Sequence, residues 1–110
     1  MAKKVYSKWD EPPDNFQYIL FERINPERNE QRFYYLAYGP SLEGPAVIRV
    51  WGRKGRSQRA AAPLVCDTLA EAWPKIRQCI KRRLRHGYQI VLPAALAEEQ
   101  VAGEPVAESF

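Results

Sequence analysis

The stretch AVIRVWGRKGRSQR, residues 46–59, places a tryptophan among five arginines and lysines and contains no acidic residue. Its first half is predicted to be a β-strand, in which successive side chains point to opposite faces of the sheet. One face then carries the small and aliphatic side chains of Ala46, Ile48, Val50 and Gly52. The other face carries Val47, Arg49, Trp51 and Arg53. We predict that the aliphatic face is the core face.

Trp51 has two roles open to it on this strand. It is either a lid over the sheet, packed by the stems of Arg49 and Arg53, or an exposed aromatic ring that receives a ligand. The register of the strand matters for both, because a shift of one residue exchanges the two faces.

Two further strand candidates precede this stretch, QYILFERI at residues 17–24 and RFYYLAYG at residues 32–39. Both are rich in the aliphatic and aromatic residues that strands favour, and the segments NPERNEQ and SLEGP that follow them suit exposed turns. APLVCD, residues 62–67, is a short fourth candidate.

A helix is predicted within residues 67–87. Thr68 and Glu71 have the spacing of a capping box, and Gly87 is a natural stop. The apolar stripe at helical spacing consists of Leu69, Ala72, Trp73, Ile76, Ile80 and Leu84. Pro74 predicts either a kink or a helix that begins only at residues 73–74, because proline lacks the N–H of an interior helical position.

The predicted fold class is therefore α+β, a small antiparallel sheet with one principal helix packed across a face. A chain of 110 residues provides about one domain. We expect residues 1–16 to be a polar linker, residues 17–88 to be the domain, and residues 89–110 to be a mobile, acidic Ala/Glu-rich tail.

Charge is distributed unevenly along the chain. Residues 46–88 contain eleven lysines and arginines against two acidic residues, a local net charge of +9, whereas the whole chain carries +4. Residues 1–45 sum to −1 and residues 89–110 to −4. Because a solvated surface usually mixes the two signs, the basic segment indicates a polyanionic partner, with nucleic acid favoured over a membrane surface.

Other function classes find little support. Two cysteines and one histidine do not supply the ligands of a structural zinc site, so no metal or cofactor is expected. Cys66 and Cys79 lie in apolar surroundings and are expected to be small buried side chains rather than a disulfide.

No apolar stretch suggests a signal peptide or membrane span, so we expect a cytoplasmic protein. His86 has no neighbouring nucleophile, which favours a helix C-terminal residue over a catalytic one.

The tripeptide Trp51, Gly52, Arg53, followed by Gly55 and then Gln58, resembles the WGR domain of poly(ADP-ribose) polymerases and many small bacterial proteins. The aromatic strand before it and the segments CDTLAEA and KRRLRHGY after it extend the resemblance over residues 17–88. The family often has a second glycine just before the glutamine. Ser57 occupies that place here, in a loop one residue shorter, so the backbone is expected to approach a ligand less closely.

The resemblance implies a domain that holds DNA ends or breaks, with Trp51 packing at the end of the duplex and Arg53 contacting DNA or a neighbouring domain. The ADP-ribosyltransferase domain of the polymerases has no room in this sequence, so their catalytic activity is not expected to carry over. RNA is a further candidate ligand. A protein-interaction adaptor that docks an acidic partner on the same basic and aromatic face is the alternative function.

The expected nucleic-acid-binding residues are Trp51, Gly52, Arg53, Arg49, Lys54, Gly55, Arg56, Arg59, Lys81, Arg85 and Tyr88. Arginines and lysines neutralise phosphates and fix the register of binding, while an aromatic face stacks on an exposed base or sugar. For Tyr88 two roles stay open, donation to a terminal phosphate or burial at the end of the helix.

Overall fold

A computed structural model describes residues 9–97. Within them lie β1 (Tyr18–Asn25), β2 (Glu30–Ser41), β3 (Gly44–Arg53), β4 (Gln58–Ala60), β5 (Leu64–Val65), α1 (Leu69–Arg85) and β6 (Gln89–Leu92). The strands form one antiparallel sheet in the order β4-β3-β2-β1-β6, and β5 pairs with the same edge of β3 as β4 does. The predicted α+β architecture is confirmed.

The start of α1 follows from the sequence. The Thr68 hydroxyl accepts a hydrogen bond from the Glu71 backbone N–H at 3.1 Å, and the Glu71 carboxylate accepts one from the Asp67 N–H at 3.0 Å. The helix then continues through Pro74, which is exposed at its sixth position. The predicted alternative of a start at residues 73–74 is therefore wrong, because the cap stabilises the first turn upstream of the proline.

The end of α1 also agrees with the prediction. Gly87 has φ +87°, a left-handed conformation that glycine adopts without strain. The Tyr88 N–H donates to the Arg83 carbonyl at 3.0 Å and the Gly87 N–H to the Leu84 carbonyl at 3.1 Å. This pair of bonds is the Schellman arrangement, which satisfies helix-terminal carbonyls and turns the chain towards β6.

The core lies between α1 and one face of the sheet. Its largest fully buried side chains are Phe21, Ile19, Leu36, Ile76, Ile80 and Val47. Trp73 is 3% exposed, so the prediction that it belongs to the core is confirmed. Each such side chain contributes about 1.5 to 3 kcal/mol of burial free energy, which makes this face the main source of stability.

The core face of β3 is the opposite of the predicted one. Val47 belongs to the core cluster and Trp51 packs against it, whereas Ile48 and Val50 are half-buried on the face away from α1. Ala46 is fully buried but does not belong to that cluster. The prediction based on aliphatic content was wrong because an indole and arginine stems also provide apolar area against a helix.

Residues 9–16 pack on the domain, which corrects the expectation of a linker there. Trp9 is 3% exposed and Phe16 is 9% exposed. The Trp73 indole Nε1 donates a hydrogen bond to the Trp9 carbonyl at 2.7 Å, and the Phe16 ring meets the Trp73 ring edge-on at 5.4 Å. Residues 1–8 of the predicted linker lie outside the described residues.

The segment after residue 88 likewise begins as part of the fold. β6 pairs with β1, and Ile90 is 5% exposed in the core. Leu96 and Ala97 pack against the same core in the helical turn that follows. The predicted tail therefore does not begin at residue 89, and its remainder, residues 98–110, lies outside the described residues.

Residues 9–97 contain no helix that is long and apolar enough to cross a bilayer. They also contain no group of three or more side chains placed to hold a metal ion. Cys66 and Cys79 are both free thiols, with Cys66 buried and Cys79 half-buried.

Replacing Trp9 or Phe16 by alanine tests whether the N-terminal segment belongs to the core. Each substitution is expected to lower the free energy of unfolding by about 3 to 5 kcal/mol, the cost of deleting a buried aromatic side chain. Leu42→Ala is the control, because Leu42 is fully exposed and its loss should change stability by less than about 0.5 kcal/mol. Denaturant unfolding measures all three, and equal midpoints for Trp9→Ala and wild type would contradict the assignment.

Candidate nucleic-acid interface

The β3–β4 hairpin carries most of the predicted site. Trp51 lies directly opposite Arg59 in the strand pairing, so their side chains emerge on the same side of the sheet. Arg49 and Arg53 lie two residues either side of Trp51 and share that side. The hairpin thus brings one indole and three arginines to the side of the sheet that α1 partly covers.

The turn of this hairpin is tight and exposed. The Arg56 N–H donates to the Arg53 carbonyl at 3.1 Å, and Gly55 has φ +77°. A side chain at Gly55 would be strained in that conformation, which accounts for glycine there. The turn projects Arg56 and Ser57 into solvent.

Gly52 allows the two strands of the hairpin to approach closely. A Cβ atom at this position would lie 3.0 Å from the Ser57 carbonyl oxygen and 3.1 Å from the Gln58 Cα. Both neighbours are backbone atoms, so the hairpin would have to move to accept any larger residue. The glycine of the tripeptide therefore has a structural role, and no contact with a ligand is needed to explain it.

Trp51 is half-buried and stacks on Tyr34 of β2. The ring centroids are 5.9 Å apart and the ring planes differ by 14°. Tyr34 is itself buried, with edge-on contacts to Phe21 and Tyr88 at 6.3 and 6.4 Å. The indole is thus fixed in orientation by the sheet and is still partly open to solvent, so each of its two predicted roles receives support.

Two guanidinium groups lie over the rings of Tyr34 and Tyr88, which contact each other. The Arg83 guanidinium lies 4.6 Å from the Tyr34 ring centroid and 5.3 Å from that of Tyr88, and the Arg23 guanidinium lies 5.2 Å from the Tyr88 centroid. Burial raises the pKa of Tyr34, so its phenol, which is already neutral at physiological pH, becomes still harder to ionise. Tyr88 is 8% exposed, which favours burial at the helix end over donation to a phosphate.

Arg53 and Lys54 both hold the hairpin to the rest of the sheet. Arg53 Nη2 donates to the Asn29 carbonyl at 3.0 Å, and the Lys54 N–H donates to the Gln31 carbonyl at 2.9 Å. The Lys54 ammonium pairs with the Glu22 carboxylate at 2.9 Å. Because Glu22 and Lys54 lie on the opposite side of the sheet from Trp51, the structure does not bring Lys54 to the other site residues.

Lys81 and Arg85 lie on α1 and not on the hairpin. At 100° per residue, Lys81 lies on the same flank of the helix as Arg77, which pairs with Asp10 at 3.3 Å in the N-terminal segment. Arg85 is exposed in the last turn. Their place in a common surface with Trp51 stays a prediction.

Three further cations of α1, Lys75, Arg82 and Arg83, are not among the predicted nucleic-acid-binding residues. Together with Arg49 of β3 they border a cavity between the helix and the sheet. The sequence contains one relevant signal, the seven-residue spacing of Lys75 and Arg82, which places both on one side of a helix. That they face Arg49 depends on how α1 crosses the sheet, and no local pattern contains this information.

A single antiparallel sheet with one helix across one face and an arginine-rich hairpin near its edge defines a class of small α+β domains. The sequence model of the WGR domain family matches residues 18–94, from the start of β1 to just beyond β6. The chain belongs to this family of nucleic-acid-binding modules, which are not catalytic in themselves. No curated protein and no solved structure matches the chain.

Gly52→Ala tests the close approach within the hairpin. The new methyl group would clash with backbone at Ser57, so we expect a loss of about 1 to 3 kcal/mol in unfolding free energy. Gly39→Ala is the matched control, since Gly39 is also a strand glycine but has nothing within 4 Å of the point that its new methyl group would occupy. Chemical denaturation measures the unfolding free energy of both variants. If Gly52→Ala is as stable as Gly39→Ala, the hairpin accepts the methyl group and the close approach does not require glycine.

Proposed function

We propose that this protein is a non-catalytic module that binds DNA, at duplex ends or breaks, through the side of the sheet that carries Trp51. Membership of the WGR family supports the class of ligand. The choice of duplex ends over duplex interiors rests on the residues of the hairpin, and the choice of DNA follows the resemblance to the WGR domains of the polymerases.

The observation that carries the proposal is the cross-strand arrangement around Trp51. The indole is half-buried and oriented by Tyr34, and Arg59 lies directly opposite it on β4. Arg53 is exposed at the end of β3, and Arg56 follows in the turn. An aromatic ring of fixed orientation with cations beside it matches a surface that presents both a stacking face and phosphates.

A duplex end provides such a surface, whereas the interior of a duplex does not. Bases inside a duplex are stacked on both faces and unavailable to an indole, but the terminal pair exposes one face. Arginines recognise phosphates through paired N–H donors, and contacts of this kind fix position without reading sequence. We therefore expect binding to ends with little dependence on base sequence.

Binding to DNA is expected to weaken steeply with salt. The basic segment would neutralise about four to six phosphates, which corresponds to a slope of about −4 to −5 in a plot of log affinity against log salt. Fluorescence anisotropy with a blunt duplex over a series of salt concentrations measures the slope. No binding at low salt would remove the proposal and leave the adaptor, which should ignore bare DNA and bind an acidic protein instead.

Trp51→Ala is expected to weaken binding to open duplex ends by about 1 to 3 kcal/mol, the stacking contribution of one aromatic ring. Affinity for the same duplex closed by loops at both ends should stay almost unchanged, because it offers no terminal pair. Anisotropy titrations with the two duplexes provide the comparison.

Tyr18→Ala is the matched control for this variant. Tyr18 also stacks on a cross-strand tyrosine, Tyr35, at 5.8 Å, but on the opposite side of the sheet from Trp51. The Tyr18→Ala variant should be less stable than the wild type, and any change in its DNA affinity should be the same for the open and the closed duplex. If Trp51→Ala loses about 3 to 5 kcal/mol of folding stability and binds both duplexes equally poorly, Trp51 is a structural lid.

A further inference from the structure

A cavity of about 230 Å³ lies between β3 and α1, with four cationic side chains around it. These are Arg49 from β3 and Lys75, Arg82 and Arg83 from α1. No carboxylate is among the described residues that line it. The volume is below the roughly 300 to 1,000 Å³ of pockets for drug-sized ligands, so the cavity suits a small ion better than a nucleobase or a cofactor.

Among the described residues, the four cations have no acidic partner near the cavity. None of the ion pairs found within residues 9–97 includes Arg49, Lys75, Arg82 or Arg83. Like charges that border one cavity repel each other, and an anion held between them would offset this repulsion. The arrangement therefore favours a negatively charged ligand.

Arg49 provides an independent observation. Its Nε is buried, and no acceptor within the described part of the chain lies in hydrogen-bonding reach of it. A buried N–H group without a partner is costly, and folded proteins rarely retain one. An anion held at the cavity would supply the acceptor that the surrounding protein does not.

Arg83 is already held in place for such a role. Its guanidinium lies 4.6 Å from the ring centroid of Tyr34, which also lines the cavity. Contact with a buried ring restricts the long side chain before any ligand arrives, so less conformational entropy is lost on binding. Two of the four cations, Arg49 and Arg83, are therefore positioned by the fold itself.

We propose that this cavity is a phosphate-binding site, in which a phosphate group accepts hydrogen bonds from Arg49 and is neutralised by Lys75, Arg82 and Arg83. A phosphate group offers several acceptor oxygens and, as a monoester, close to two negative charges, which suits guanidinium donors on several sides. The site is distinct from the exposed part of the Trp51 hairpin, since none of residues 50–60 lines the cavity, although the two surfaces share Arg49 and Tyr34.

Titration of the full-length, 15N-labelled protein with inorganic phosphate tests the site directly. Ionic strength is held constant with chloride, and NMR follows the arginine Nε–H signals. The Arg49 signal, identified by its absence in Arg49→Met, should shift and saturate as phosphate is added. An Arg49 signal that does not respond to phosphate, or responds equally to chloride alone, would overturn the proposal.

Arg82→Met separates a built site from general positive charge. Arg82 is exposed, so its replacement should leave the fold intact, and unfolding curves check this. We expect the affinity of the Arg82→Met variant for phosphate to fall by roughly tenfold, the effect of losing one of the charges that neutralise the anion. Arg28→Met removes the same charge from an exposed turn outside the cavity and should change the affinity by less than about twofold. Equal losses in both variants would also overturn the proposal.

The phosphate group could belong to a nucleic-acid backbone or to a free or terminal monoester, and loop-capped duplex distinguishes these sources. If backbone phosphates enter the cavity, Arg82→Met should lower the salt slope for this duplex by about one. If monoesters alone bind, that slope is unchanged while the phosphate titration still responds. If the protein binds DNA but the phosphate titration shows no response, the phosphate site is wrong and the proposed function stands. If phosphate binds but DNA does not, the proposed function is wrong and the phosphate site stands.

Discussion

The ring of Tyr34 contacts the Trp51 indole on the neighbouring strand and the Arg83 guanidinium on α1. An aromatic pair of this kind contributes about 0.5 to 1.5 kcal/mol beyond burial, and a partly desolvated cation above a ring contributes a similar amount. The larger effect is positional. One buried side chain fixes the orientation of the indole at the hairpin and of a cation at the cavity, so the geometry of both surfaces depends on how Tyr34 packs.

Local sequence patterns predicted the elements of this fold well and their assembly less well. The capping box at Thr68, the glycine stop at Gly87 and the three long strands all carry their signals within a few residues. The core face of β3 does not, because Trp51 and the stems of its neighbouring arginines are as able to border a helix as the aliphatic row is. Only the contacts with α1 distinguish the two faces.

The sequence patterns also failed to predict that residues 9–16 belong to the domain and that β4 is a strand, for a related reason. Trp9 and Phe16 lie in a polar, proline-rich stretch whose composition resembles a linker, yet both rings are buried. β4 has no apolar residue larger than alanine, and the tight turn around Gly55 brings it beside β3. In each case a tertiary contact overrides local composition, and a single sequence does not record which distant residues provide that contact.

The positive charge of residues 46–88 is less uniform in space than along the chain. Lys54 is paired with Glu22 on the far side of the sheet, and one nitrogen of Arg53 is bound to a backbone carbonyl. Arg49 and Arg83 instead lie at a cavity that has no carboxylate among its described lining residues. The charges counted along a sequence therefore predict a class of partner, while the positions of acids and carbonyls decide which cations are available to it.

Both outer edges of the sheet are short. On one side β4 and β5 cover β3 with three and two residues, and on the other side β6 has four residues and is followed by Pro93, which has no N–H to donate. A long uncovered edge would offer its backbone to other chains and promote strand-by-strand polymerisation. If many copies of the protein lay side by side on one polyanion, their sheet edges would come close together. The short edges of this sheet offer few backbone hydrogen bonds to a neighbouring copy.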